Sequence, residues 1–369
     1  MTSCANGTVK AGTDQLIGAC SRRRLLGVGM WLGSLLLAWA GAAPARESCK
    51  MLQIGEVDVT MSGLEPLVAA SIDGHAVQML LDTGAARSLI WKSAATDLGL
   101  KLEYVSGEFF GVGGGQQASI TYVHDFGFAG GHIHKVSLLA SGRGDFKDAT
   151  AGVLGEDLLS SMDVEFDLSA GKLRMFKPKN CSGDEVVYWA DSFFMVPMQN
   201  LNAHSSWPEA EVSLGGHPVL ALFDTGASFS GVSREGLAQS GVSPETPLSA
   251  AGSTHGIGSK GVETQVAKFP QLSIGQETIQ HVRLRIADLF EDDRTAQTGS
   301  MIAHTVLEAK PDMILGADFF LAHRVLIARS QGKIYFTYKG GPIFSAPPKY
   351  SADPAADRPA ATPAGDPPQ

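Results

Sequence analysis

The chain has 369 residues and a formal net charge of −9 at pH 7 with histidine neutral, long enough for two domains of ordinary size. No basic stripe accompanies that charge, which argues against nucleic acid as a partner. The 43 glycines and 18 prolines, with 18% charged residues, suit a turn-rich β protein better than a helical one.

The first 45 residues read as an export signal. Ser21-Arg22-Arg23-Arg24-Leu25-Leu26 precedes an apolar run reaching Ala43, and Ala43-Pro44-Ala45 puts small residues at −3 and −1 of a cleavage before Arg46. The arginines after a serine resemble a twin-arginine signal. An ordinary Sec signal is the alternative, as is an uncleaved anchor, because the run is just long enough to span a bilayer. The expectation is a periplasmic or secreted protein that meets a membrane only if the segment is retained. Ile17-Gly18-Ala19-Cys20 has no apolar run ahead of it, so a lipoprotein is not expected. Cleavage leaves Cys49 and Cys181 as the single possible intramolecular disulfide, with two unpaired thiols as the other reading. A bridge closing a loop of that length is worth ~4–5 kcal/mol in the chain-entropy model.

Leu67-Val68-Ala69-Ala70-Ser71-Ile72, the turn Asp73-Gly74 and the run Val77-Gln78-Met79-Leu80-Leu81 predict a β-hairpin. Its second strand ends on Asp82-Thr83-Gly84-Ala85. The same order returns as Ala210-Glu211-Val212-Ser213-Leu214, Gly215-Gly216, Val219-Leu220-Ala221-Leu222-Phe223 and Asp224-Thr225-Gly226-Ala227. Ser71, Gly74, His75, Val77, Leu80 and Ser88 also match residues 142 positions on, and Pro66 matches Pro208. One long period used twice indicates an internal duplication.

A glycine-rich tip follows each acid: Phe109-Phe110-Gly111-Val112-Gly113-Gly114-Gly115, and His255-Gly256-Ile257-Gly258-Ser259-Lys260-Gly261. Such tips suit hairpins that fold over a cleft, with Phe109, Phe110, Val112 and Ile257 as apolar contacts. Then come Val153-Leu154-Gly155 and Ile314-Leu315-Gly316. Each precedes a short helix, Glu156-Asp157-Leu158-Leu159 or Ala317-Asp318-Phe319-Phe320, and two closing strands. The second half is longer between acid and glycine, which places an insertion around Glu291–Thr305. The expected organisation is a first lobe over 46–180, a connector over 181–190, a second lobe over 191–345 and a disordered Pro/Ala-rich tail over 346–369.

This order resembles the pepsin/retropepsin clan of aspartic proteases. Gly155-Glu156-Asp157-Leu158-Leu159 is especially similar to the retropepsin segment after the second glycine, and two copies in one chain resemble a fused retropepsin dimer. The resemblance covers roughly residues 65–178 and 205–338. It implies an all-β, two-lobed acid-protease fold, a monomer with both half-sites, and a polypeptide substrate under flaps that include Gly111, Gly113, Gly256 and Gly258. It also implies that the Thr83 and Thr225 hydroxyls bond across the lobes. No residue stands out as a pepsin-type flap tyrosine, Tyr122 being the candidate.

Two close carboxylates share one proton, so Asp82 and Asp224 together offer a base for water and an acid for a carbonyl oxygen. Gly84 and Gly226 let backbone N–H groups approach the acids, while Ala85 and Ala227 are small enough to pack behind them. No cofactor and no metal is expected: His132 and His134 face one way on a strand, with His124 nearby, and lack a clear acidic third ligand. His75 and His217 suggest a shared structural role in the hairpins. The rival from another class is a protease-like module that binds peptides without cleaving them.

Overall fold

A computed structural model describes residues 48–112, 114–142, 150–199, 207–254, 261–289 and 310–344, all within the unit Glu47–Gln369. The signal segment, the tail from 346 and the insertion around Glu291–Thr305 lie outside the described residues. The first half runs β1 (Lys50–Ser62), β2 (Glu65–Ile72), β3 (His75–Leu81), β4 (Leu89–Trp91), α1 (Lys92–Asp97), β5 (Glu103–Gly111) and β6 (Gly114–Phe128). It continues with β7 (Gly131–Ser141), β8 (Gly152–Leu154), α2 (Glu156–Leu159), β9 (Asp163–Asp167) and β10 (Lys172–Lys179). The second half runs β11 (Phe194–Pro197), β12 (Glu209–Leu214), β13 (His217–Phe223), β14 (Gly231–Ser233), α3 (Arg234–Ser240) and β15 (Ser249–Thr254). After it come β16 (Val262–Ile274), β17 (Glu277–Ala287), β18 (Met313–Leu315), α4 (Ala317–Ala322), β19 (His323–Ala328) and β20 (Lys333–Tyr338).

Turn chemistry fixes the two acid-bearing hairpins. Asp73 and Gly74 have φ of 48° and 84°, and Gly215 and Gly216 have 57° and 89°. Two successive left-handed residues match the right-handed twist of the flanking strands, which explains the glycines. The register that follows sets Leu67 opposite Leu80 and Glu209 opposite Leu222. Side chains alternate along a strand, so Val77, Met79 and Leu81 enter the core of one half, and Val219, Ala221 and Phe223 that of the other. Leu80 and Leu222 occupy the opposite face, and the acids follow them there.

Both halves share one topology. β3 pairs in parallel with β8, β8 antiparallel with β4, and β4 in parallel with β7; β6 then returns to β2, with Ile72 opposite Phe126. In the second half β13, β18, β14 and β17 repeat that sequence, and β16 returns to β12 with Leu214 opposite Leu272. The molecule is therefore a two-lobed, all-β protein, as the duplication predicts. Both short helices begin directly after their glycines, Gly155 and Gly316.

The lobes are joined by a six-stranded antiparallel run in the order β11-β20-β19-β9-β10-β1, three strands from each half. At its centre Phe166 faces Val325, Glu165 faces Leu326 and Val164 faces Ile327. That pairing is twofold: each residue faces the counterpart of its symmetry mate, with Glu165 and Leu326 on the axis. Phe166 packs edge-on against Phe320 of the other half at 5.4 Å between ring centroids. Burying each such aromatic is worth ~1.5–3 kcal/mol. The edge strands β1 and β11 have no forecast in the sequence. Residues 181–190 lie against this sheet: Gln331 Nε2 donates to the Cys181 and Asp184 carbonyls, and Tyr188 and Trp189 lie beside the Arg324 guanidinium.

Candidate active site

Each acid leaves its strand into a loop that its own carboxylate closes. Asp82 Oδ1 accepts the Gly84 and Ala85 N–H groups, both at 2.9 Å. Asp224 Oδ1 accepts those of Gly226 at 2.8 Å and Ala227 at 3.2 Å. Their own N–H groups donate to the Leu154 and Leu315 carbonyls, so each apolar-apolar-glycine segment holds the acid of its own half. The structure brings the two loops together. A methyl group on Gly226 would overlap the Asp82 carboxyl, and one on Gly84 would overlap that of Asp224. This close approach is what requires glycine at both positions.

The two threonines lock the loops to each other. The Thr83 N–H donates to Thr225 Oγ1 at 3.1 Å, and the Thr225 N–H to Thr83 Oγ1 at 3.0 Å. The Thr83 hydroxyl donates to the Phe223 carbonyl at 2.6 Å, and the Thr225 hydroxyl to the Leu81 carbonyl at 2.7 Å. Both side chains are fully buried, so every bond of this exchange is shielded from water. The interlobe bonds match what the family resemblance implies for these residues.

Ala85 and Ala227 do more than fill space, because their carbonyls accept the Glu156 and Ala317 N–H groups at the starts of α2 and α4. Two further braces have no forecast beyond the Ser88–Ser230 identity. Ser88 donates its N–H and hydroxyl to Asp157 Oδ1 at 2.8 and 2.6 Å, while its oxygen accepts the Gly155 N–H at 2.9 Å. Ser230 makes the same set with Asp318 Oδ1 and Gly316, at 2.9, 2.6 and 2.9 Å.

The electrostatics favour a held proton. Burial raises the Asp82 carboxyl well above its ordinary value, and the charge of Asp224 pushes it further. Burial also raises Asp224, opposed by the hydrogen bond with Asp82 and by the Gly226, Ala227 and Gly84 N–H groups. The pair therefore keeps one proton at pH values where lone carboxyls have lost theirs, and that proton belongs to both.

Just outside this shell the halves differ. Glu156 is buried and pairs with Arg329 of the other lobe; burial pushes it up to about 8, with the Arg329 charge opposing. Glu165 is fully buried and accepts Arg174 Nη1 at 2.7 Å and Arg324 Nη2 at 2.8 Å, one arginine from each lobe.

The other predicted residues fall as follows. Gly111 faces Gly114 at the tip of the β5–β6 hairpin, so the Phe109–Gly111 backbone and Val112 belong to that hairpin. Gly113, Gly256, Ile257 and Gly258 lie outside the described residues, although β15 and β16 pair up to Thr254 and Val262 on either side of the second tip. Tyr122 pairs with Ser137 away from the first tip, and its side chain is exposed. Cys49 and Cys181 are bonded, with Cα atoms 4.4 Å apart. The His75 and His217 side chains are exposed beside their turns, so they share a strand position rather than a packing role. His132 and His134 do meet an acid, Asp125, with Nδ1 at 2.8 and 3.1 Å from its carboxylate, and His124 Nδ1 lies 3.4 Å from Asp73. Among the described residues no group of three or more His, Cys, Asp or Glu is arranged to hold a metal ion.

A paired-carboxylate site at the junction of two equivalent β lobes defines the aspartic-protease class of fold. The aspartyl protease family model matches the chain twice, over residues 68–158 and 210–319, which together make up more than half of it. The chain belongs to the aspartyl protease family, in its two-lobed, retropepsin-like form. Each match contains one acid loop and its downstream glycine and short helix. No curated protein matches the chain significantly.

Proposed function

We propose that the chain is an active aspartic endopeptidase that hydrolyses extended polypeptides at the Asp82–Asp224 dyad. The observation that carries this reading is the twofold seating of the acids, each held by two N–H groups and overhung by the glycine of the other half. The ionised carboxylate takes a proton from water as its oxygen attacks the peptide carbon. The protonated carboxyl donates to the carbonyl oxygen, giving a tetrahedral diol. Collapse passes a proton to the leaving nitrogen as the C–N bond breaks, and the dyad returns to one proton. The substrate lies under the β5–β6 hairpin and its second-lobe counterpart, held partly by backbone hydrogen bonds as an added strand. Both half-sites sit on one chain, so a monomer suffices. Export to the periplasm or medium fits the Cys49–Cys181 bond, which needs an oxidising compartment.

The test is cleavage of a peptide library by the purified mature chain over about pH 3–7, below and through the ordinary range of carboxyl titration. Wild type is expected to cleave, and Asp82→Asn and Asp224→Asn to lose cleavage alike. Equal turnover by all three proteins would sink the dyad. Tight peptide binding without cleavage by wild type would establish a binding module instead.

A further inference from the structure

The cleft faces of the two lobes share their acids but not the residue beside them. In the first lobe Leu67 stands opposite Leu80, two residues before Asp82. At the same place in the second lobe Glu209 stands opposite Leu222, two residues before Asp224. Ala210 and Phe223 turn into the core, so Glu209 and Leu222 face the other way, the side on which Asp224 lies. Ile314 of β18 adjoins Leu222 on that face.

Glu209 is 1% exposed and its Oε1 meets no hydrogen-bond partner. Burial alone, with no neighbouring charge, raises its carboxyl to about 7. A buried carboxyl oxygen without a partner is unfavourable, and the leucine of the first lobe shows what packing alone accepts at this position. Strongly perturbed acids beside a reaction centre are a mark of function. Its carboxyl is shielded from bulk water, and Leu222 and Ile314 share its face of the sheet toward Asp224, so a ligand side chain lying over them is suited to supply the missing partner. A lysine or arginine side chain meets this need, laying its apolar stem along Leu222 and Ile314 and carrying its charge to the carboxylate.

We propose that Glu209 sets the specificity of the second-lobe half of the cleft, selecting a substrate with a lysine or arginine side chain on that side of the scissile bond. The inference rests on the protease reading above, but binding can be measured separately from cleavage. Two peptide sets are compared that differ only by lysine, arginine or leucine, scanned through the positions flanking the cleaved bond. One set carries an ordinary amide and the other a reduced, non-hydrolysable bond.

For wild type, one position is expected to favour the basic residue by at least about 10-fold in kcat/KM, the size of one charge-assisted contact. The same position should favour it in affinity for the reduced peptides. Glu209→Leu should bring both ratios to one or below, with a melting temperature equal to or above that of wild type. Glu209→Gln should fall between them, and it carries the readout if the leucine variant does not fold. No basic preference in wild type at any position, or one that survives in Glu209→Leu, overturns the proposal. If wild type binds the reduced peptides but cleaves none of the others, the protease reading fails while the affinity ratios still decide the role of Glu209.

Discussion

In the first lobe a buried glutamate, Glu156, opens the helix after the glycine and meets Arg329 across the lobe interface. In the second lobe Ala317 opens the matching helix, and Leu168 stands in the 3-10 turn where the first pairing has Arg329. One side of the junction is thus tied by an ion pair and the other by apolar packing. Nearer the acids, the threonine exchange and the serine–aspartate braces match almost bond for bond. The difference marks out what the chemistry constrains. A shared-proton pair needs both loops in one geometry, whereas the next layer outward has only to hold the lobes together.

The largest expected effect tests the symmetric layer. Asp82→Asn and Asp224→Asn should each lower kcat by at least about 10²–10⁴-fold, the usual worth of a general acid or base, with unchanged melting. Single-turnover rates would separate them, and a gap of more than about 10-fold between the two variants would break the equivalence of the half-sites.

Arg329→Leu tests the asymmetric layer, because it leaves Glu156 buried without its cation. Urea unfolding near pH 8 should show a loss of about 3–5 kcal/mol. Adding Glu156→Ala reproduces the Ala317–Leu168 arrangement and should restore most of that stability. A double variant as weak as the single one would show that the two sides of the junction are not interchangeable.

Cys49→Ser removes a tie from the first half to the segment after β10 that the second half has no cysteine to match, and by the usual cost of losing a native disulfide it should lose about 2–5 kcal/mol against the oxidised protein. Thr83→Val and Thr225→Val each remove a hydroxyl that both accepts and donates across the interface. Each should cost about 1–3 kcal/mol, and the two should agree closely.

A different kind of effect is on pH dependence. Glu156, Glu209 and Asp318 are held up at about 8, about 7 and about 6, all by burial. Between their unfolded values and these folded ones, the folded protein keeps protons that the unfolded chain has released. Their joint effect favours the folded state most below about pH 4, under the unfolded values, and that advantage fades as pH rises through about 8, opposite to the usual carboxylate trend. Melting temperatures across that range should fall with pH, and the double variant Glu156→Gln, Glu209→Gln should flatten the curve.

The site was legible in sequence where two identical loops had to serve one geometry. Asp82, Thr83 and Gly84 reappear because each carries a contact that the other half repeats, and the hairpin turns required glycine for a backbone reason. The Ser88–Ser230 identity was visible, and Asp157 and Asp318 stood in matching short helices, but nothing local joined serine to acid across 69 residues in one half and 88 in the other. β1 gave no periodic signal: Leu52 and Ile54 are exposed and its pairing partner β10 is far along the chain. Glu209 sits next but one to the exposed Glu211 and reads as another surface acid until the register places it. Residue identity was also no guide to contact for His75 and His217, which are repeated and yet exposed.

Glu165 and Leu326 face each other on the twofold axis of the joining sheet. Were the molecule assembled from two identical chains, the residue at that point would meet its own copy. Two glutamates there would bring two carboxylates together, and two leucines would leave each Arg324 without the acid it meets. Joining the halves covalently permits unlike residues at a self-facing position, so one carboxylate can draw in an arginine from each side. The same mismatch sets the unlike pairing apart from one of two second halves, in which each Arg324 would find no Glu165.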